Sequence, residues 1–323
     1  MSDLVRMGWT TRLGVAVSNP DNPPTDPTEE IEFLDDNVAD VQTREDASGT
    51  TGIRSVPADR MVEMSRMVVG SIVFEPKPLD LQRWFPRIYG KAGTGSGTLT
   101  FGLGNVLPAF DLFSLRTGDT TEDGVSGLHV FRECRVASAT FECQEGGRFK
   151  CTLNVLGKDR DAAINAAYEW PALTYDRQSP WNLANAVLTV NGTGYSFYRF
   201  ALTHDNVLAP RMMSGSLSPT EFPTGGRAVR LGLSTPWGNG LPLHQTLRSS
   251  PLTTAVLKLA YGSGGAERFV QFATPRLIPP DLRSPVVPSR GEIRYDVELM
   301  ACATTTSGAV DADSELVTTL KVG

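Results

Sequence analysis

Two stretches of the chain follow the same plan. Arg66 opens the apolar run Met67-Val68-Val69-Gly70-Ser71-Ile72-Val73-Phe74, a proline-bearing turn follows, and Leu79 to Tyr89 reads as a short helix. Arg227 opens Ala228-Val229-Arg230-Leu231-Gly232-Leu233, a Pro/Gly turn runs from Pro236 to Gly240, and Leu241 to Arg248 reads as a second short stretch. Each copy then continues into alternating strands, the first over residues 66–160 and the second over 226–322. A repeat at a spacing of roughly 160 residues points to two copies of one ancestral domain joined in a single chain. At 323 residues the chain is long enough for two domains with their own cores. The expected division is residues 1–170 and 171–323, with Tyr168 to Trp181 as the linker.

The expected class is mainly β: two tandem β-sandwich or β-barrel domains, each with a short flanking helix, plus extended arms. Ile293, Tyr295, Val297, Leu299 and Ala301 alternate with polar neighbours, as do Phe149, Cys151, Leu153 and Val155. That period of two is a strand with one apolar face. Ala137 to Cys143 pairs with the Phe149 strand across a Gly-containing loop, and Val256 to Tyr261 pairs with Arg268 to Ala273 across Gly262 to Gly265. Ala186 to Val190 and Tyr195 to Leu202 flank Asn191-Gly192-Thr193-Gly194, whose Asn-Gly is the strongest short hairpin signal in the chain. Thirty-one Gly and 22 Pro supply the many turns this needs. Helices are few. Pro76 to Tyr89 places Leu81, Trp84, Phe85 and Ile88 on one face, predicted to be buried against the first domain's sheet, with Pro86 disturbing the last turn. Asp161 to Tyr168 is a candidate for a second, short helix.

Three segments read as exposed. Asp26 to Asp46 carries nine carboxylates and one Arg, Glu29, Glu30, Glu32, Asp35 and Asp36 among them. So acidic a stretch reads as an arm with little to bury, ordered only by contact with a neighbouring subunit. Gly93 to Gly97 and Asp119 to Gly127 read as polar loops.

Signals for chemistry are weak. Gly93-Thr94-Gly95-Ser96-Gly97 lacks the Gly-Lys-Ser/Thr ending of a phosphate loop and reads as a turn. No G-x-S-x-G elbow occurs. His129, His204 and His244 are far apart in sequence, and no cysteine pair has zinc spacing. Cys134, Cys143, Cys151 and Cys302 read as free thiols packed as small hydrophobes. Asp159 and Asp161 read as a solvated turn rather than a calcium loop, and Asn191-Gly192-Thr193 as an incidental glycosylation sequon. No cofactor, metal or catalytic residue is predicted. A net charge of -6 argues against a protein that grips phosphates, though not against a surface that DNA passes without sticking. Met1 to Arg6 has no signal pattern, and no apolar run reaches the ~20 residues of a membrane helix, so a reducing cytoplasm is expected.

The run Arg66 to Gly90, with its strand, Glu75-Pro76-Lys77-Pro78 and Leu-rich helix, resembles the tail tube proteins of long-tailed bacteriophages. So do Cys134 to Cys143 with the following Phe149 to Lys158, the stretch Asn185 to Asn206, and the closing segment Gly291 to Val322. The resemblance implies a structural virion protein, not an enzyme, made in the host cytoplasm and built into the tail. Its subunits would stack as rings around a channel for DNA and the tape-measure protein. Family members with one domain per chain form hexameric rings; two domains per chain imply three chains instead. A tail terminator or baseplate hub would share the fold. Two other readings compete: a carbohydrate-binding β-sandwich using Tyr195, Phe197, Tyr198 and Phe200 as a platform, and a β-rich hydrolase using paired carboxylates.

Overall fold

Strands account for most of the chain, as the alternation predicts. The computed structural model describes residues 11–46, 61–120, 126–161, 170–173, 176–249, 253–283, 293–306, 309–311 and 315–322. In chain order come β1 (Arg12–Val17), β2 (Glu29–Ile31), β3 (Asp35–Asp36), β4 (Ala39–Asp46), β5 (Met61–Phe74) and helix α1 (Pro78–Tyr89). Next are β6 (Thr98–Phe101), β7 (Phe110–Thr120), β8 (Ser126–Gln144), β9 (Lys150–Gly157) and β10 (Asp159–Arg160). Then follow β11 (Ala186–Val190), β12 (Thr193–Tyr195), β13 (Arg199–Asp205), β14 (Ala228–Pro236) and helix α2 (Trp237–Ser249). The chain closes with β15 (Thr253–Tyr261), β16 (Arg268–Ile278), β17 (Arg294–Ala301), β18 (Thr304–Thr306), β19 (Ala309–Asp311) and β20 (Val317–Lys321).

Antiparallel pairing arranges these strands in three runs. The longest has the order β4-β5-β9-β8-β13-β14-β17. A second has the order β12-β11-β15-β16-β20-β6 and joins the first at a corner, where Leu277 and Ile278 pair with Ala301 and Met300. In the third, β2-β1-β7 pairs with the first part of the long strand β8, whose other side takes β10. The join of the two halves of the chain is a ladder: β8 pairs with β13 from Ser138↔Asp205 to Gln144↔Arg199. The two long runs face each other. Phe141 on β8 and Phe272 on β16 have ring centroids 5.3 Å apart.

Helix α1 plugs the space between them. Its apolar stripe buries Leu81, Trp84, Phe85 and Ile88, all at most 1% exposed. Phe85 meets Phe101, Phe141 and Phe272 edge-on, and Trp84 stands edge-on to Phe110 at 5.5 Å. Such rings carry the largest apolar areas in a core. The helix starts at Pro78, where a missing N–H costs nothing. The Leu79 N–H donates to Asp176 Oδ2 at 2.9 Å, and Asp80 Oδ2 accepts from the Lys77 N–H. The helix runs through Pro86 and ends at Gly90, whose φ of 74° suits glycine and whose N–H donates to the Pro86 carbonyl. Burial, with Asp176 nearby, raises the Asp80 carboxyl to about 6.

Two expectations need correction. The acidic segment is not a detached arm. It forms β2, β3 and β4, which pair with β1 and β5. Basic partners on the same chain neutralise three of its carboxylates. Glu30 is buried and takes a two-pronged pair from Arg12 at 2.6 and 2.7 Å. Glu29 pairs with Arg87 of α1 at 2.7 Å, and Glu32 with Lys77. Asp35 and Asp36 lie in β3 against Val73 and Ile72, and Asp36 also accepts from Ser114 Oγ. Composition over one segment does not reveal cations that arrive from far along the chain.

The second correction is the strand Tyr195 to Leu202. Asn191 and Gly192, with φ of 49° and 78°, do form a two-residue hairpin turn, but its second strand ends at Tyr195. The chain then crosses to the other run as β13, between β8 and β14. Within the segment read as a linker, Trp181 is buried against Phe149, and Asp176 holds the start of α1. Most of the Asp161 to Tyr168 helix and the tip of the Asp119 to Gly127 loop lie outside the described residues.

Candidate functional site

The residues that invited a chemical reading do not converge. His129 is on β8, His204 on β13 and His244 on α2, where its Nδ1 lies 3.2 Å from the Tyr295 hydroxyl. No group of His, Cys, Asp and Glu among the described residues is placed to hold a metal. Asp161 and Asp111 are bound by the Arg132 guanidinium at 3.0 and 2.7 Å. All four cysteines are free, and burial pushes the thiols of Cys134, Cys143 and Cys151 up, Cys143 to about 11. The aromatic cluster is packed rather than presented. Phe200 is buried beside Phe149, Phe197 leans edge-on against Phe200, and Tyr198 lies under the Arg294 guanidinium. The glycine-rich turn is bridged by Thr94 and Thr100, with Gly95 and Gly97 at positive φ.

What stands out is a surface. The seven-stranded run buries one face and leaves the other open. On β17 burial alternates strictly, so Tyr295, Val297, Leu299 and Ala301 point in while Arg294, Asp296, Glu298 and Met300 point out. Cross-strand partners share a face, and the registers therefore trace whole rows. One row runs Met300, Arg230, Thr203, Thr140, Thr152, Val73. Another runs Glu298, Gly232, Ala201, Glu142, Lys150. A third runs Asp296, Ser234, Arg199, Gln144.

This face is mostly polar and nearly charge-balanced from β17 to β9, and Val73 and, further along, Val69 and Leu156 are apolar members. Lys150, Arg199, Arg230 and Arg294 are matched by Glu142, Asp205, Asp296 and Glu298. Pairs cross the strands: Arg199 Nη2 to Glu142 Oε2 at 3.1 Å, and Arg230 Nη1 to Glu298 Oε1 at 3.4 Å. Thr140 and Thr203 share a hydroxyl hydrogen bond at 3.3 Å, and Asn154 donates to Ser138 Oγ at 2.7 Å. The fifth cation, Arg135, sits at the end of the face against the Phe222 ring.

The run also has two open edges. Among the described residues no strand pairs with the outer side of β4, and the outer side of β17 is covered only at Met300 and Ala301. An open strand edge is a row of unpaired N–H and C=O groups ready for another chain. None of these face residues was singled out in the sequence. Alternation gives two faces per strand but does not say which is covered. A family model described as "Phage tail tube protein" matches residues 8–313 of the chain. No curated protein matches it.

Proposed function

Because the chain belongs to the phage tail tube protein family, we propose that its seven-stranded run is a segment of a channel wall. It is a structural component of the phage tail. The open face would line the channel, and the edges at β4 and β17 would join neighbouring copies around a ring. Rings stacked in this way would enclose the DNA and, during assembly, the tape-measure protein. The observation that carries this reading is the combination of a mostly polar, nearly charge-balanced face with open edges on both sides of the same run.

The chain's own construction supports three copies per ring. Each half presents a long strand followed directly by a proline-containing helix, β5 with α1 and β14 with α2. In each case the long strand is flanked on both sides, β5 by β4 and β9, and β14 by β13 and β17. By that correspondence β13 is the counterpart of β4. Inside the chain β13 takes a strand of the preceding unit, β8, on its outer side, so β4 would take the neighbour's open edge at β17 in the same way. Two tube domains in each of three chains would give a pseudo-sixfold ring. Residues 1–170 and 171–323 would be the two units, sharing one continuous core across the β8–β13 ladder.

The carbohydrate-binding alternative has less support, because the aromatic side chains it needs are packed or covered. A terminator or hub role would use the same face and edges. Negative-stain microscopy of the purified protein separates these readings: rings or tubes are expected, and a monomer that shifts on adding sugars would overturn the proposal.

A further inference from the structure

The two ion pairs on the open face are poor stabilisers. Arg199 and Glu142 have side chains 56% and 38% exposed, and Arg230 and Glu298 57% and 55%. Pairs so exposed contribute little to folding, because water screens them and ordering two long side chains costs entropy. Their effect on the face itself is larger. Glu142 stands directly opposite Lys150 in the ladder and also accepts from Arg199. Glu298 is ion-paired with Arg230 at 3.4 Å and is the next residue on the same face of β17 after Asp296, which stands opposite Ser234 beside Arg199. Every cation in the middle of the face thus has a carboxylate within one cross-strand step. Without those carboxylates the same face would present three cations, Lys150, Arg199 and Arg230, along adjacent rows.

We propose that Glu142 and Glu298 act as charge guards, pairing with Arg199 and Arg230 and facing Lys150 across the ladder, so that the phosphates of nucleic acid do not bind this face. The inference rests on the reading of the open face as the channel wall. Nucleic-acid affinity is set chiefly by how many phosphates find a free Lys or Arg and release their counterions. A carboxylate beside each cation cancels much of the positive potential that a phosphate would otherwise meet there. DNA would then slide past a surface that carries cations without being held by them.

The test compares the full-length protein with Glu142→Gln/Glu298→Gln, using a short fluorescent DNA duplex as the probe. At about 50 mM salt the variant should bind about tenfold more tightly than the wild type, and the gain should fall with salt at a log–log slope of about −2.7, one phosphate for each of the three cations freed. Glu267→Gln/Asp281→Asn removes the same charge from pairs elsewhere, the half-buried one with Lys258 and the exposed one with Arg283, and should leave DNA affinity unchanged. An unchanged Glu142/Glu298 variant, a wild type that already binds as tightly, or an equal gain in the control would each overturn the guard role. Placement of the face is checked separately with Thr203→Cys in a Cys302→Ser background. A bulky maleimide should label the introduced thiol in the free subunit and be excluded from it in assembled tubes. Equal labelling in both would reject the channel-wall reading while leaving the DNA result to stand by itself.

Discussion

His204 and Asn206 share a hydrogen bond in the core, with Nε2 of the imidazole 3.0 Å from Oδ1 of the carboxamide. The carboxamide nitrogen donates to two main-chain carbonyls, Ile88 in the last turn of α1 and Val136 on β8, each at 3.0 Å. Oδ1 is therefore the acceptor, and His204 carries its proton on Nε2. One side chain just after β13 thus fastens helix α1 to strand β8. Asn206→Ala would leave both carbonyls and the imidazole N–H without partners in a dry site. The expected loss is about 3 kcal/mol, read by urea denaturation. A loss within error of zero would show that water satisfies these groups.

The same histidine makes stability fall in acid. Burial lowers its pKa to about 4; the bond to Asn206 opposes that shift, while Arg227 adds to it and Asp205 works against it. The folded value lies below the unfolded one, so the unfolded chain binds the proton more readily. Stability contributed by neutral His204 is complete above about pH 6.5 and is lost as the pH falls toward 4, by about 3 kcal/mol in all. His204→Gln keeps a donor for Asn206 and cannot titrate. Unfolding measured at pH 7 and pH 5 should show a smaller decrease for the variant than for the wild type; parallel decreases would assign the acid sensitivity elsewhere.

Trp84 is enclosed by Phe74, Phe110 and the Arg87 guanidinium. Trp84→Ala should cost about 3–5 kcal/mol through lost burial and the cavity left behind. A thermal midpoint unchanged by this substitution would mean that α1 does not sit in the core.

Gly70 tests whether the acidic segment is part of the fold. A Cβ there would run into the backbone of Val38, between β3 and β4. Gly70→Ala should destabilise the subunit by about 1–3 kcal/mol, because backbone cannot step aside as a flexible side chain does. For the same reason, deleting residues 27–40 should abolish folding rather than assembly alone, since it removes the buried Glu30, Ile31 and Val38. A deletion variant with native circular dichroism would restore the picture of a free arm.

Much of this architecture is legible in the sequence because it is local. Period-two alternation in Arg294–Ala301 and the Asn191-Gly192 turn specify strand and hairpin from neighbouring residues. The stripe Leu81, Trp84, Phe85, Ile88 likewise needs only the helical period. The rest depends on contacts far apart in sequence. Nothing near Glu30 signals that Arg12 will neutralise it, and nothing near Tyr195 signals that the chain will leave the hairpin to pair β13 with β8. The open face was unreadable for a related reason. Thr203, Thr140 and Thr152 form a row only after β13, β8 and β9 have been set in register.

The most direct test is a high-resolution cryo-EM map of the assembled tube. Three chains per ring are expected, with β17 of each chain meeting β4 of its neighbour and Thr203, Glu142 and Glu298 facing the channel. Six chains per ring, or a map that places these residues on the outer surface, would contradict it.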